Sequence, residues 1–233
     1  MSPARSRHRD VGASGVRAAV LGAGDGLLTN VSLVLGVAGA NPPGSTVRLA
    51  GLAGLLAGAF SMAAGELVSV RAQEELIEHE VEVEREELAD DPRGEEVELA
   101  EMYEAKGLPA DEASTVADIV MSNKDLALDT HVGLELGVDP HDPPSAWQAA
   151  IASFLSFSIG AFIPLFPWLF WSGATAIAAS IILGAVAAVG LGAAIGAFTG
   201  SGIARTVLRQ LAAATIAATV TFLVGSLFGT TTT

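Results

Sequence analysis

Gly58-Ala59-Phe60-Ser61-Met62-Ala63-Ala64-Gly65-Glu66-Leu67-Val68-Ser69-Val70-Arg71-Ala72-Gln73-Glu74-Glu75-Leu76-Ile77-Glu78-His79-Glu80 is the stretch on which the fold turns. Its first half is apolar enough for lipid and its second half is acidic. No proline or turn cluster separates the halves, so one helix passes from an apolar setting into a charged one and continues to Asp90. The rest of the chain repeats that division. Residues 71–142 hold 23 of the 26 acidic residues and five of the 12 basic ones, a net charge of −18, while the other 161 residues carry +4. Apolar residues make up 51% and charged ones 16%, against about 25% charged in soluble domains. An ordinary soluble globule, a disordered acidic chain and a nucleic-acid binder with its basic surface are excluded. Without cysteine there are no disulfides and no thiolate metal sites.

A membrane-crossing helix needs about 20 mostly apolar residues. Five stretches meet that length, roughly 16–40, 47–70, 147–166, 169–197 and 206–228. Asn41-Pro42-Pro43-Gly44, Pro164 with Pro167, and Gly200 with Gly202 are the expected breaks between them. Trp147, Trp168 and Trp171 fall at span ends, where indole rings favour the headgroup region. Gly192, Gly196 and Gly200, and likewise Gly54 and Gly58, recur every four residues, a spacing that lets helix backbones approach closely in lipid. Short-loop charge sets the orientation. Arg5, Arg7, Arg9 and Arg17 precede the first span, Arg205 and Arg209 lie between the fourth and fifth, and Arg48 alone is near the opposite loops. The N-terminus and residues 71–142 are therefore expected in the cytoplasm and the C-terminus outside.

Asp25 lies about nine residues into the first span, within Gly22-Ala23-Gly24-Asp25-Gly26. A carboxylate at that depth is costly unless water, a cation or a proton relieves it, so it marks a pathway. The glycines around it suggest close packing or a local unwinding. In the second span Met62 and Glu66 share a face at i, i+4. Oxygen ligands with a soft thioether suit Fe2+ or Mn2+ better than Mg2+ or Ca2+.

The acidic insertion reads as a small helical bundle, with helices over 71–90, 95–106, 110–122 and 124–136 and a break at Asp91-Pro92-Arg93-Gly94. Glu80, Glu84 and Glu87 form a stripe on the first helix, Glu95 and Glu98 are paired on the second, and His131 and Glu135 are i, i+4 on the last. Like charges at this spacing destabilise a helix, and a bound divalent cation offsets that cost. Glu84, Glu87, Glu95, Glu98, His131 and Glu135 are the candidate metal ligands. Glu78, Glu80, Glu82 and Glu86, taken singly, fit a solvated face, and His79 and His141 are incidental.

Asp25-Gly26-Leu27-Leu28-Thr29-Asn30-Val31-Ser32-Leu33-Val34-Leu35-Gly36-Val37 and Ala59-Phe60-Ser61-Met62-Ala63-Ala64-Gly65-Glu66-Leu67-Val68-Ser69-Val70 resemble the first- and second-helix signatures of the vacuolar iron transporter family, which includes the yeast calcium-cross-complementer and plant nodulin-like groups. The resemblance covers about 15–230. It implies an all-α membrane protein: a basic cytoplasmic N-terminus over 1–15, transmembrane helices 1–2 over 16–70, a cytoplasmic helical metal-binding domain inserted over 71–142, and helices 3–5 over 143–233. It further implies a homodimer that exports Fe2+ from the cytosol by proton antiport, with Mn2+, Zn2+ and Co2+ as further candidate ions. The pathway residues fall on Asp25 and Met62, with Glu66 leading to them. Two departures stand out. His131 occupies the place of the family's methionine ligand, and Gly51, Gly54 and Gly58 leave the outer half of the second span without the carboxylate that some relatives have. The chain lacks an organelle-targeting extension, which suggests a bacterial member in the plasma membrane. The rival readings are a membrane-tethered ferritin-like ferroxidase, which would lack the Glu-x-x-His motif of such bundles, and a metal sensor that binds without flux.

Overall fold

The computed structural model describes residues 14–139, 141 and 144–231. Arg5, Arg7 and Arg9 of the basic N-terminus lie outside the described residues, as do Pro140, Asp142 and Pro143 of the linker before the third span. The described elements are helical throughout: α1 (Ser14–Gly39), α2 (Gly44–Asp90), α3 (Pro92–Ala105), α4 (Ala110–Met121), α5 (Lys124–Glu135), α6 (Ala146–Leu165), a 3-10 turn (Phe166–Leu169), α7 (Gly173–Thr199) and α8 (Ile203–Thr231). Five of them, α1, α2, α6, α7 and α8, are long and apolar enough to cross a membrane. This is a multi-pass membrane protein. The chain divides into two compact units, Val68–Ala146 and the remainder, and α2 supplies residues to both.

Lipid offers no hydrophobic force to press apolar helices together, so the helices of the membrane unit associate by close packing. The glycines around Asp25 provide it. A Cβ on Gly26 would lie 3.0 Å from the Ala161 backbone nitrogen of α6 and closer still to the Phe157 carbonyl oxygen. Gly160 meets the Ala23 carbonyl and the Leu27 nitrogen of α1 in the same way. Helix α1 runs unbroken through Asp25-Gly26, so of the two readings of these glycines the structure takes close packing, not unwinding. Gly192 and Gly196 play the same part between α7 and α8, where added Cβ atoms would come within 2.6 Å of Val207 Cα and 2.8 Å of Ile203 Cα. Gly200, third in that series, instead ends α7 in the left-handed conformation at φ 71°.

The expected break at Pro164 and Pro167 holds: Pro164 is the penultimate residue of α6, Pro167 lies in the 3-10 turn that follows, and Ser180 Oγ of α7 donates to the Pro164 carbonyl at 2.7 Å. Trp168 lies at a span end as expected, in the 3-10 turn between α6 and α7, but its ring is 2% exposed, in a core with Val34, Ala38, Val47, Leu165 and Ala176, whereas Trp147 and Trp171 are exposed.

In the second unit, Leu99, Ala117, Val120 and Ala127 form the core, with Leu88, Tyr103 and Leu134 against it. The expected break falls at Asp91, between α2 and α3, but α3 already starts at Pro92 and not at 95. Proline is accommodated in a first helical turn, and Asp91 Oδ1 caps that turn by accepting from Gly94 N at 3.0 Å. Asn123 Oδ1 caps α5 through Asp125 N and Leu126 N. The two ends of the unit are tied together: Glu74 Oε1 accepts from Ala146 N at 2.8 Å, and Arg71 Nη1 lies 2.9 Å from Glu74 Oε2.

Replacing Gly160 by Leu should disrupt the membrane unit, because the new side chain meets backbone that cannot yield. Overpacking a core costs roughly 1–3 kcal/mol, and a backbone obstacle places this change at the upper end. We expect a lower melting temperature and aggregation on size-exclusion chromatography in detergent. Gly190→Leu, with nothing within 4 Å of an added Cβ, should elute and melt like the parent protein. Equal behaviour of the two variants would count against the glycine seam.

Candidate metal centre

Three helices of the second unit deliver one side chain each to a buried cluster. Glu84 comes from α2, Glu95 from α3 and His131 from α5, and one ligand atom from each lies within 4.8 Å of the other two. The apolar core beneath fixes this convergence, since Leu88, Leu99 and Ala127 sit one turn from Glu84, Glu95 and His131 on their respective helices. His131 is fully buried, and the Glu84 and Glu95 side chains are 5% and 12% exposed.

The imidazole faces the carboxylates through Nδ1. Its distances are 3.1 Å to Glu84 Oε1, 3.6 Å to Glu95 Oε2 and 3.8 Å to Glu135 Oε1. The shortest is of hydrogen-bond length but is not aligned as one, and Nδ1, Nε2 and Glu84 Oε1 all lack a partner. A buried polar atom left unpaired is uncommon enough to need a physical account. Donors around one transition-metal ion at about 2.0–2.2 Å span at most about 4.4 Å, so a contraction of a few tenths of an ångström would seat an ion among these atoms.

The electrostatics point the same way. Burial, first, and then the charges of Glu135, Glu95, Glu87 and Glu98 push the Glu84 carboxyl up from 4.5 to about 7. Burial and the neighbouring carboxylates Glu98 and Glu87 also raise Glu95. Burial lowers His131, against the upward pull of Glu135 and Glu98. Unit charges about 4 Å apart interact by about 4 kcal/mol at an effective dielectric of 20. A pocket of this composition therefore holds protons or takes a cation. Of the six residues expected here, Glu84, Glu95 and His131 meet and Glu135 borders them. Glu87 and Glu98 are exposed and act on Glu84 by charge. His141 pairs with Asp129 at 3.0 Å on the exposed surface.

The membrane residues belong to the other unit. Asp25 is exposed on α1 and accepts a 3.4 Å hydrogen bond from Thr29 Oγ1. Met62 and Glu66 are half-buried on α2, and Met62 packs on a cluster of Ala59, Phe157 and Ala161. Sequence reasoning passes over Asn30. It is fully buried, its Nδ2 donates to the Ala161 carbonyl at 2.6 Å, and its Oδ1 is unpaired. The signal was available, since an amide inside an apolar span must find a partner.

Comparison with known proteins gives a consistent picture. A family profile described as the VIT family matches residues 16–226. Vacuolar iron transporter 1 of Arabidopsis thaliana is 35% identical over 187 residues, 80% of this chain and 75% of the plant protein. Vacuolar iron transporter homolog 1 of Oryza sativa subsp. japonica is 34% identical over 220 residues, 92% of this chain and 74% of its own length. The vacuolar iron transporter of Acanthamoeba castellanii is 36% identical over 190 residues, 79% and 67% of the two chains.

The raised Glu84 carboxyl predicts opposite pH trends with and without metal. In the metal-free protein the folded state holds the Glu84 proton up to about pH 7 and the unfolded state only to 4.5. Its contribution to stability is therefore lost as pH rises across that window. His131, lowered by burial, opposes this by favouring the folded state as pH rises toward 6.5. Metal must displace the Glu84 proton, so binding strengthens as pH rises, by up to about tenfold per unit below pH 7. The Mn2+-induced rise in melting temperature should grow from pH 6 to pH 8, and Glu84→Gln should flatten that growth. A pH-independent rise in the parent protein would remove Glu84 from the centre.

Proposed function

The chain belongs to the VIT family, and on that premise we propose that it moves a divalent transition metal, Fe2+ first, across a membrane. The observation that carries this reading is the buried, unpartnered His131 facing Glu84 and Glu95 in a chain that also has five membrane-length helices. Its relatives are named as transporters, and we read it as a transporter and not an enzyme.

In this scheme residues 68–146 lie on the cytoplasmic side and capture metal with Glu84, Glu95, His131 and Glu135, while Glu87 and Glu98 add negative potential that draws cations in. Imidazole nitrogen and carboxylate oxygen together favour Fe2+, Zn2+ or Co2+ over Mg2+ and Ca2+, and admit Mn2+. Metal then passes Glu66 to Met62 and Asp25 in the spans. The path is shared by two copies of the chain, which places Asp25 at a polar interface and away from lipid. Export ends when protons from the far side compete with the metal for the Asp25 carboxylate, so that the proton gradient drives release. The membrane in question is the plasma membrane, with the N-terminus inside and the C-terminus outside.

The test is metal entry into sealed proteoliposomes containing a metal-quenched dye, with and without an inward-acid pH gradient. We expect gradient-dependent quenching in the parent protein and a loss of at least about tenfold in Asp25→Asn, which removes the exchangeable charge and keeps the shape. Parent-like flux in Asp25→Asn would defeat the proton-coupled scheme. Absence of flux in a folded, metal-binding parent protein would defeat transport itself.

A further inference from the structure

The amide of Asn30 has two ends in two different situations. Its nitrogen clamps α1 to α6 through the 2.6 Å hydrogen bond to Ala161 O. Its oxygen is buried without a partner and faces α2, where a Cβ on Gly54 would lie 3.2 Å from it. In native proteins, buried polar atoms in this condition are commonly met by water or an ion. Gly54 leaves the approach free of its own side chain. The Leu33 terminal methyl closes it, and that methyl is the far end of a flexible side chain that a small ligand can push aside.

The chemistry of the oxygen narrows the ligand. An amide carbonyl has two lone pairs, no charge and no proton to lose. It can coordinate a partly hydrated divalent cation without the proton competition that a carboxylate meets. The location agrees. Ala161, which Asn30 grips, belongs to the cluster with Ala59 and Phe157 on which the Met62 thioether packs. Met62 lies eight residues beyond Gly54 on the same helix, about 12 Å along it.

We propose that Asn30 Oδ1 is a further oxygen donor to the transported cation within the spans, and that Gly54 is the opening through which the ion reaches it. This rests on the reading of the chain as a divalent-metal transporter. It assigns a non-titrating contact to the half of α2 that lacks a carboxylate.

The test compares Gly54→Ser with Gly54→Ala in the full-length protein, using Mn2+ flux into proteoliposomes. Both add the same Cβ, but the serine hydroxyl can also donate to Asn30 Oδ1 and occupy it. The expected result is a flux in Gly54→Ser at least about fivefold below that of Gly54→Ala, with a melting temperature equal or higher and unchanged Mn2+ binding by residues 68–146. Equal flux in the two variants overturns the proposal, and equal flux with a raised melting temperature assigns the oxygen to a resident structural water instead. Leu33→Ala provides a second measurement that does not depend on filling the gap. It should lower the KM for Mn2+ at least about threefold, and an unchanged KM overturns the proposal. A parent protein without flux refutes transport, whereas parent flux with no difference among the variants refutes only this assignment.

Discussion

Direct contact between helix backbones is the constraint on which this molecule depends. With lipid tails outside and apolar side chains inside, burial alone barely distinguishes one helix arrangement from another. Shape has to do so. Gly26 and Gly160 let α1 and α6 touch through main-chain atoms, and that proximity brings the Asn30 amide within reach of Ala161 O. A larger residue at either glycine would part the helices and leave the amide nitrogen as unsatisfied as its oxygen. Polar placement in the spans is thus a consequence of packing.

The acidic unit follows the opposite logic. It has a small apolar core, and the core's main product is an electrostatic problem. Leu88, Leu99 and Ala127 hold three helices together and so bring Glu84, Glu95 and His131 into one buried cluster. Burial and the neighbouring carboxylates raise the Glu84 carboxyl to about 7, which favours a bound proton there over a bare charge. The same side chains offer donor atoms to a cation, and the His131 ring nitrogens make no hydrogen bond that would compete with one.

Much of this was legible in the sequence because it depends on pattern. Apolar runs of 20 or more residues give the spans, and the i, i+4 and i, i+3 carboxylates give the stripes. Pattern does not say which member of a stripe turns inward. Glu84 and Glu87 are equivalent in periodicity, yet one is buried and the other exposed, because the helices packed against α2 select between them. Both proline breaks fall where the sequence places them, since α2 stops at Asp90 and α6 at Leu165; only the start of α3 differs, at Pro92 and not at 95, because a first helical turn needs no N–H from its proline. The place of Trp168 at a span end is legible in the chain, but that its ring packs on neighbouring helices depends on tertiary contacts that hydropathy does not encode.

The hydrogen bond from Ala146 N to Glu74 Oε1 makes the entry and exit strands of residues 68–146 neighbours. A segment whose ends meet can be spliced into a helix–helix connection with little loop-closure penalty, and exposed connections are where such splicing is tolerated. The acidic unit therefore closes on itself at one end through Glu74, while α2 enters it as an unbroken helix. Substitutions among its carboxylates leave that closure untouched, so the ion-handling chemistry of the insert can be tuned apart from the bilayer helices.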